Sequence, residues 1–423
     1  VRNPLQGKGR LLADTSIYTG SNILNKLIPF LLMPVLTRYL STEEYGYIAT
    51  FVSLNALLMV FVGFNSHIAI GRDYFDLDQA RMAAYIGSVL VLCVAGFAVL
   101  TLVLWIFVGP LSEQLELPRP WIVAVPLVTL FNVICLAYQT LVRMQRAPMR
   151  FALFSNAQSL VNIVLSLLFV VGLGWGWQGR FQGWLWSVVS FGIVALVVMR
   201  REGYLAGTYD KDLARRALAF GLPLIPHNAS MWALSLSDRF FLASMVGASE
   251  TGLYSVASSL GSIIFLLADA FNKAWTPELY SRLKKNDPVQ RRKLVLFTYA
   301  YFAGILLAAG AVSWIAPFFL GYLVDESFYP AAKYVWPVAF GFAFSGMYRM
   351  VVGYLFYVRR TGVLSYITGA SGVLNLILNY LLIGRYGAMG AAYATFFSYL
   401  FSFIVTWIVT QRIYPMPWLL REE

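Results

Sequence analysis

Lys26 stands in the middle of an apolar run, with Asn22 one helical turn before it. A lysine ammonium is a compact positive charge with three donors, and its natural counterpart is a phosphate or carboxylate. Further along, Asp238 and Arg239 are adjacent inside another apolar run, Asp269 and Lys273 share the next, and Arg349 lies well inside a later one. The two histidines, His67 and His227, also fall in apolar surroundings, with Arg72 soon after the first and Asn228 directly after the second. A charge at the centre of a membrane helix costs about 2.5–3.5 kcal/mol on insertion scales, so such residues face a bundle interior or a water-filled cavity. The expected chemistry is recognition of an anion. Asn22, Lys26, His67, Arg72, His227, Arg239 and Arg349 form the expected substrate-binding set. Asp238, Asp269 and Lys273 form the expected ion-coupling or salt-bridge set.

Spacing predicts some of the pairings. Asp269 and Lys273 are four residues apart and can close a salt bridge along one helix. Adjacent helical residues do not face each other, so Asp238 and Arg239 are expected to find partners on different helices. Arg349 is expected to be a second cationic contact, with a structural pair to Asp238 as the rival reading. Pro223 and Pro226 should break the helix just before His227 and Asn228, a pattern that points to a binding site in transporters. Two serine and asparagine stripes, Ser155, Ser159, Asn162 and Ser166 in one span and Ser371, Asn375 and Asn379 in another, read first as interhelical glue.

Other chemistries lack their residues. No phosphate-cradling Gly-Lys-Ser/Thr loop occurs, and no Ser/His/Asp constellation sits in a loop, so no catalytic residue is assigned and no enzyme is expected. Cys93 and Cys135 both lie in apolar runs and offer neither a disulfide framework nor a metal site. No cofactor is expected; a transport process leaves room for a coupling ion, H+ or Na+.

Twelve apolar stretches position these residues: 14–37, 47–70, 83–108, 121–142, 151–172, 183–199, 217–246, 252–274, 294–316, 331–357, 362–383 and 387–410. Each has about the length that crosses a bilayer core, in a chain that is 59% hydrophobic and 12% charged. The longest connector, from about Trp275 to Lys293, is too short for a soluble catalytic domain. Counted on alternate sides, with Arg239, Lys273 and Lys333 assigned to the loop nearer to them, 24 of the 32 Lys and Arg fall on one side and six on the other. That bias marks the richer side as cytoplasmic and puts both termini there. It also explains the net charge of +12 through anionic membrane lipids, without nucleic acid. The first stretch is too long for a cleavable signal core.

The chain also repeats. A shift of 206 residues lays Glu44 on Glu250 and Gly46 on Gly252; a shift of 213 lays Arg146 on Arg359. The expected fold is therefore an all-α polytopic membrane protein of about twelve transmembrane helices in two pseudo-symmetric six-helix lobes, residues 1–205 and 206–423, with the substrate path between them.

The segments Leu-Thr-Arg-Tyr-Leu-Ser-Thr-Glu-Glu-Tyr-Gly at 36–46, Gly-Leu-Pro-Leu-Ile-Pro-His at 221–227 and Ser-Asp-Arg-Phe-Phe-Leu at 237–242 follow one another in order. Thr-Gly-Leu-Tyr-Ser-Val-Ala at 251–257, Phe-Asn-Lys-Ala-Trp-Thr-Pro at 271–277 and Arg-Tyr-Gly-Ala-Met-Gly-Ala-Ala at 385–392 continue the series. With them the chain resembles, over essentially its whole length, the Wzx-type polysaccharide flippases of the multidrug/oligosaccharidyl-lipid/polysaccharide exporter superfamily. The resemblance implies a bacterial inner-membrane flippase that moves undecaprenyl-diphosphate-linked oligosaccharide to the periplasmic leaflet by alternating access through a cationic cavity. A glycan polymerase and a chain-length regulator are the implied partners. The competing readings are a multidrug exporter or lipid II flippase of the same superfamily. A membrane glycan polymerase or ligase is disfavoured, because it should carry a large periplasmic loop.

Overall fold

In lipid every backbone N–H and C=O must be satisfied within its own segment, so an apolar chain of this kind folds into long helices. The computed structural model describes residues 4–205, 207–285, 287–360 and 362–419, with side chains from Ser16 onward. The helices are α1 Pro4–Tyr39, α2 Thr42–Val62, α3 Ser66–Asp73, α4 Gln79–Ile106, α5 Val108–Leu115, α6 Arg119–Met144, α7 Pro148–Leu167 and α8 Gly176–Arg201. They continue with α9 Lys211–Gly221, α10 Ile225–Met245, α11 Ala248–Lys284, α12 Pro288–Leu323, α13 Ala332–Tyr357, α14 Gly362–Tyr386 and α15 Ala388–Ile413. Among the described residues no strand occurs. Ten of these helices are long and apolar enough to cross a membrane on their own. Two further long helices, α1 with Asn22, Asn25 and Lys26 and α10 with Asn228, Asp238 and Arg239, fall outside that ten, so of the twelve expected spans ten are found among the described residues.

Helix ends follow local chemistry. Ser41 and Glu44 make a reciprocal capping box at the start of α2: the Ser41 N–H donates to Glu44 Oε2 at 3.0 Å and the Glu44 N–H to Ser41 Oγ at 3.1 Å. Asp78, Asp210 and Asp287 cap α4, α9 and α12 through backbone N–H groups. Pro148 and Pro288 sit at the first positions of α7 and α12, where a missing N–H costs nothing.

Two expected spans and one expected connector differ from what is observed. The stretch 47–70 is interrupted: α2 stops at Val62, Phe64 and Asn65 adopt left-handed φ values of 48° and 56°, and the short α3 carries His67 and Arg72. The stretch 217–246 is three pieces, α9, a 3-10 turn at Leu222–Leu224 and α10, because Pro223 and Pro226 interrupt the helical bonding. The connector expected at 275–293 is mostly helical, since α11 runs on to Lys284 and α12 begins at Pro288.

The chain forms two compact units, Val1–Leu40 with Tyr47–Asn228, and Ser41–Gly46 with Ala229–Glu423. The junction at 228/229 falls in the first turn of α10, whereas 205/206 precedes α9. In the first unit α7 packs on α8 and α1, and α6 on α8 and α4. In the second, α13 is the central helix, packed on α15, α11 and α12.

Candidate substrate-binding site

In the second unit, small residues let α11 and α13 approach closely. A Cβ on Gly261 would lie 2.8 Å from Val338 Cγ1, and one on Gly346 would lie 2.9 Å from Ala268 Cβ. This seam brings together three of the expected residues. Arg349 on α13 donates from Nη1 to Asp269 Oδ1 at 3.0 Å, and Lys273 Nζ meets Asp269 Oδ2 at 2.9 Å. The Arg349 guanidinium lies 4.5 Å over the Phe265 ring, and Asn272 Nδ2 donates to the Arg349 carbonyl at 3.1 Å. One carboxylate thus holds two cations, one on each oxygen, and the cluster keeps a net positive charge. Lys273 is 56% exposed and Arg349 23% exposed, against 17% for Asp269, so the cations are the more accessible groups. A phosphate-bearing ligand can take the place of the carboxylate on these cations, because Arg and Lys donors suit both oxyanions.

Asp238 and Arg239 behave differently from the expectation. They pair with each other: Arg239 Nη1 reaches Asp238 Oδ1 at 2.6 Å, although the two are adjacent in α10. The long arginine stem lets its head turn back along the helix, where it also donates to the Ser235 carbonyl at 3.0 Å. Arg239 Nη2 donates to Ser258 Oγ on α11 at 2.7 Å, and Tyr254 Oη donates to Asp238 Oδ2 at 2.5 Å. Both charged residues are at least nine-tenths buried. Arg349 bonds to Asp269 and not to Asp238, so the rival pairing of Arg349 with Asp238 is not the one formed. Next to this pair, Asn375 and Asn379 bridge α14 to Ser237 of α10 and to Ser398 of α15, the glue role expected of that stripe.

In the first unit, Asn22 and Lys26 are exposed on α1, one turn apart. The neighbour that sequence reasoning passed over is Asn25, which is half-buried and donates to Ser155 Oγ of α7 at 2.7 Å; Ser159 Oγ donates back to Asn25 Oδ1. The serine stripe on α7 was the available signal for it. His67 is half-buried on α3, and its Nδ1 has no hydrogen-bond partner among the described residues. Arg72 lies 3.8 Å from the fully buried Asp73 and 5.1 Å over the Phe220 ring of α9. Arg216 of α9 bonds Asp73 at 2.9 Å and Asp76 at 3.1 Å, and the Asp73 hydrogen bond holds the guanidinium above its ordinary pKa. His227 is half-buried at the start of α10, and Asn228 beside it donates to Asn65 Oδ1 at 2.9 Å. Of the ten expected site residues, the structure therefore joins Asp269, Lys273 and Arg349 in one cluster and Asp238 with Arg239 in another. Among the described residues, no group of three or more His, Cys, Asp or Glu could hold a metal ion.

The family described as "Polysaccharide biosynthesis protein" matches residues 11–281, and the MatE family matches residues 223–381. The "Lsg locus putative protein 1" of Haemophilus influenzae is 24% identical over 368 residues, covering 84% of this chain and 87% of that protein. Among solved structures, the lipid II flippase MurJ in an inward closed conformation superposes with a TM-score of 0.75 at 12% identity, covering 93% of this chain and 87% of its own. An inward-facing MATE multidrug resistance transporter of the MOP superfamily gives 0.69 at 16% identity, covering 92% and 94%. These likenesses fix the fold.

Proposed function

The chain belongs to the polysaccharide biosynthesis protein family, a transporter class of the MOP superfamily fold and not an enzyme, and on that footing we propose that it flips undecaprenyl-diphosphate-linked oligosaccharide across the bacterial inner membrane. The observation that supports this reading is the cluster of Arg349, Lys273 and Asp269. A diphosphate headgroup leaves water only where fixed cations replace its hydration, and guanidinium and ammonium donors suit its oxygens. In this reading Asp269 holds the cations in place between cycles, and the incoming headgroup displaces it. Lys26, exposed on α1 with Asn22 beside it, is a cation that the first unit offers to an anionic substrate. Organic cations, the ordinary cargo of a multidrug exporter, would be repelled by the same net positive charge. Lipid II carries the same diphosphate, so the distinction from a lipid II flippase lies in the glycan.

The cytoplasmic side carries the Lys and Arg excess and both termini in this proposal, and alternating access delivers the glycan to the periplasmic leaflet. A glycan polymerase and a chain-length regulator are the natural consumers there. The test is a deletion strain that retains the rest of its glycan pathway. Accumulation of undecaprenyl-linked repeat units on the cytoplasmic side, relieved by the cloned gene, is the expected result. Normal surface glycan in the deletion strain, with drug sensitivity instead, would overturn the proposal.

A further inference from the structure

Arg143 lies in the last turn of α6, and three neutral groups hold its side chain. Nε donates to the Gln139 carbonyl at 3.3 Å, Nη2 donates to Thr140 Oγ1 at 3.2 Å, and the guanidinium lies 5.6 Å over the Phe151 ring of α7. That ring is a firm platform, 3% exposed, with Tyr18 of α1 set edge-on to it at 5.2 Å. Thr140 is fixed from the other side by α3, since a Cβ on Gly71 would lie 3.2 Å from Thr140 Cγ2. One turn before Gly71, α3 carries His67, close enough for the Arg143 charge to act on its ring. The His67 Nδ1 is buried and has no hydrogen-bond partner among the described residues. Buried polar atoms in folded proteins are nearly always paired, so His67 brings unused bonding capacity to the same corner of the first unit.

A cation in the last turn of a helix offsets the macrodipole, and the bond to the Gln139 carbonyl serves that purpose. It does not account for the rest of the arrangement. Among the described residues no carboxylate pairs with Arg143, whereas Arg72, Arg150 and Arg216 of the same unit each meet one. The groups that touch it, a carbonyl, a hydroxyl and a phenyl ring, orient the guanidinium without cancelling its charge. A guanidinium stays charged at any ordinary pH. Arg143 is also exposed, and its Nη1 makes no hydrogen bond among the described residues. A planar fork held in advance on one side loses less freedom when its remaining donors take an oxyanion.

We infer that Arg143, steadied by Thr140 and Phe151, is an oxyanion-binding site of the first compact unit, with His67 at its edge. Its ligand is a lipid phosphate, either the diphosphate of the lipid-linked glycan or the phosphodiester of an anionic membrane lipid. The first of these rests on the proposed flippase function. The Lys and Arg asymmetry of the sequence assigns this end of α6 to the cytoplasmic side, where the headgroup is taken up.

Purified protein in nanodiscs tests it in two arms. In zwitterionic lipid, equilibrium binding is measured for a prenyl diphosphate and for the matching uncharged prenol. In lipid that contains phosphatidylglycerol, native mass spectrometry counts the phosphatidylglycerol retained by the protein. Arg143→Gln is expected to weaken one of the two phosphate ligands about tenfold or more, the usual scale of a charged hydrogen bond, and to leave the prenol unchanged. Arg143→Lys should recover part of the loss. Loss confined to the prenyl diphosphate identifies the substrate headgroup, and loss confined to phosphatidylglycerol identifies the membrane lipid. Arg201→Gln, which removes an exposed cation from the last turn of α8, is the control, and an equal loss there would overturn the site. If wild-type protein binds no prenyl diphosphate, the flippase reading fails, and the Arg143 site stands or falls on the phosphatidylglycerol arm. If wild-type protein binds and Arg143→Gln binds both phosphate ligands equally well, or loses the prenol alike, only the Arg143 site is overturned. Thr140→Val keeps the test open should Arg143→Gln fail to fold, because it removes the orienting hydroxyl and keeps the charge. It is expected to weaken the same phosphate ligand by a smaller factor, and unchanged binding would overturn the site.

Discussion

Gly46 and Gly252 make the same contact in reverse. A Cβ on Gly46 would lie 1.8 Å from the Ala248 carbonyl oxygen, and a Cβ on Gly252 would lie 1.9 Å from the Thr42 carbonyl oxygen. The shift of 206 residues that relates Gly46 to Gly252 also relates Thr42 to Ala248. Residue i of one copy touches residue j of the other, and j touches i, which is the property of a two-fold contact between like surfaces. Both first turns, of α2 and of α11, belong here to the second compact unit, and Thr42 Oγ1 and Ser249 Oγ, 2.8 Å apart, close the same contact.

Gly46→Ala and Gly252→Ala should each therefore destabilise the protein, since a methyl cannot sit within 2 Å of a backbone oxygen without moving one helix. The expected cost is about 1–3 kcal/mol, as for other overpacked sites, read as a lowered thermal midpoint in detergent. Gly304→Ala is the control, because nothing lies within 4 Å of the Cβ it would add. A Gly46→Ala protein as stable as the control variant would show that the contact is loose.

The Asp238–Arg239 pair is almost wholly buried within the second unit, and removing one partner leaves the other charge stranded. Asp238→Asn and Arg239→Met should each cost about 3–5 kcal/mol. The double variant should lose less than the sum of the two, because no uncompensated charge remains. Additive losses in the unfolding free energy would mean that the two residues act independently.

These two contacts differ in how far the sequence revealed them. The repeat was readable because it is carried by residues with unusual backbone demands: Gly46 and Gly252 permit close approach, and Arg146 and Arg359 both adopt left-handed φ values, 53° and 59°, just beyond the ends of α6 and α13. The Asp269–Lys273 bridge was readable because four-residue spacing in a helix leaves little freedom. Arg239 was misread because the rule that neighbours diverge holds for Cβ directions, not for the end of a long flexible stem. The break at Gly63–Asn65 was invisible to hydropathy, which sees apolar residues on both sides and does not register a left-handed turn. That Arg349 would choose Asp269 over Asp238 depends on the register between α11 and α13, set by Gly261 and Gly346, and no periodicity within one helix encodes that register.

Lys26 carries the prediction for α1. Its role in the proposed function depends on charge more than on shape, so Lys26→Arg should sustain glycan export. Lys26→Gln should lose most of it, with normal amounts of protein in the membrane. The neighbouring Asn25→Ala separates the two roles, because Asn25 holds α1 to Ser155 and Ser159 of α7. It should lower stability more than it lowers export per molecule. Full export by Lys26→Gln would remove Lys26 from the substrate path.

Asp269 decides between a clamp and a coupling group. Each of its oxygens is held by a cation, Oδ1 by Arg349 and Oδ2 by Lys273, an arrangement that suits a counter-ion waiting to be displaced. Asp269→Asn should then release both cations to the substrate. Binding of a prenyl diphosphate is expected to tighten by about tenfold, on the scale of one charged hydrogen bond, while turnover slows because the headgroup leaves less readily. Dependence of transport on an imposed H+ or Na+ gradient in proteoliposomes should persist. Were Asp269→Asn to abolish that dependence while leaving transport without a gradient unchanged, Asp269 would be the residue that couples the ion to the cycle, and the displaced counter-ion account would fall.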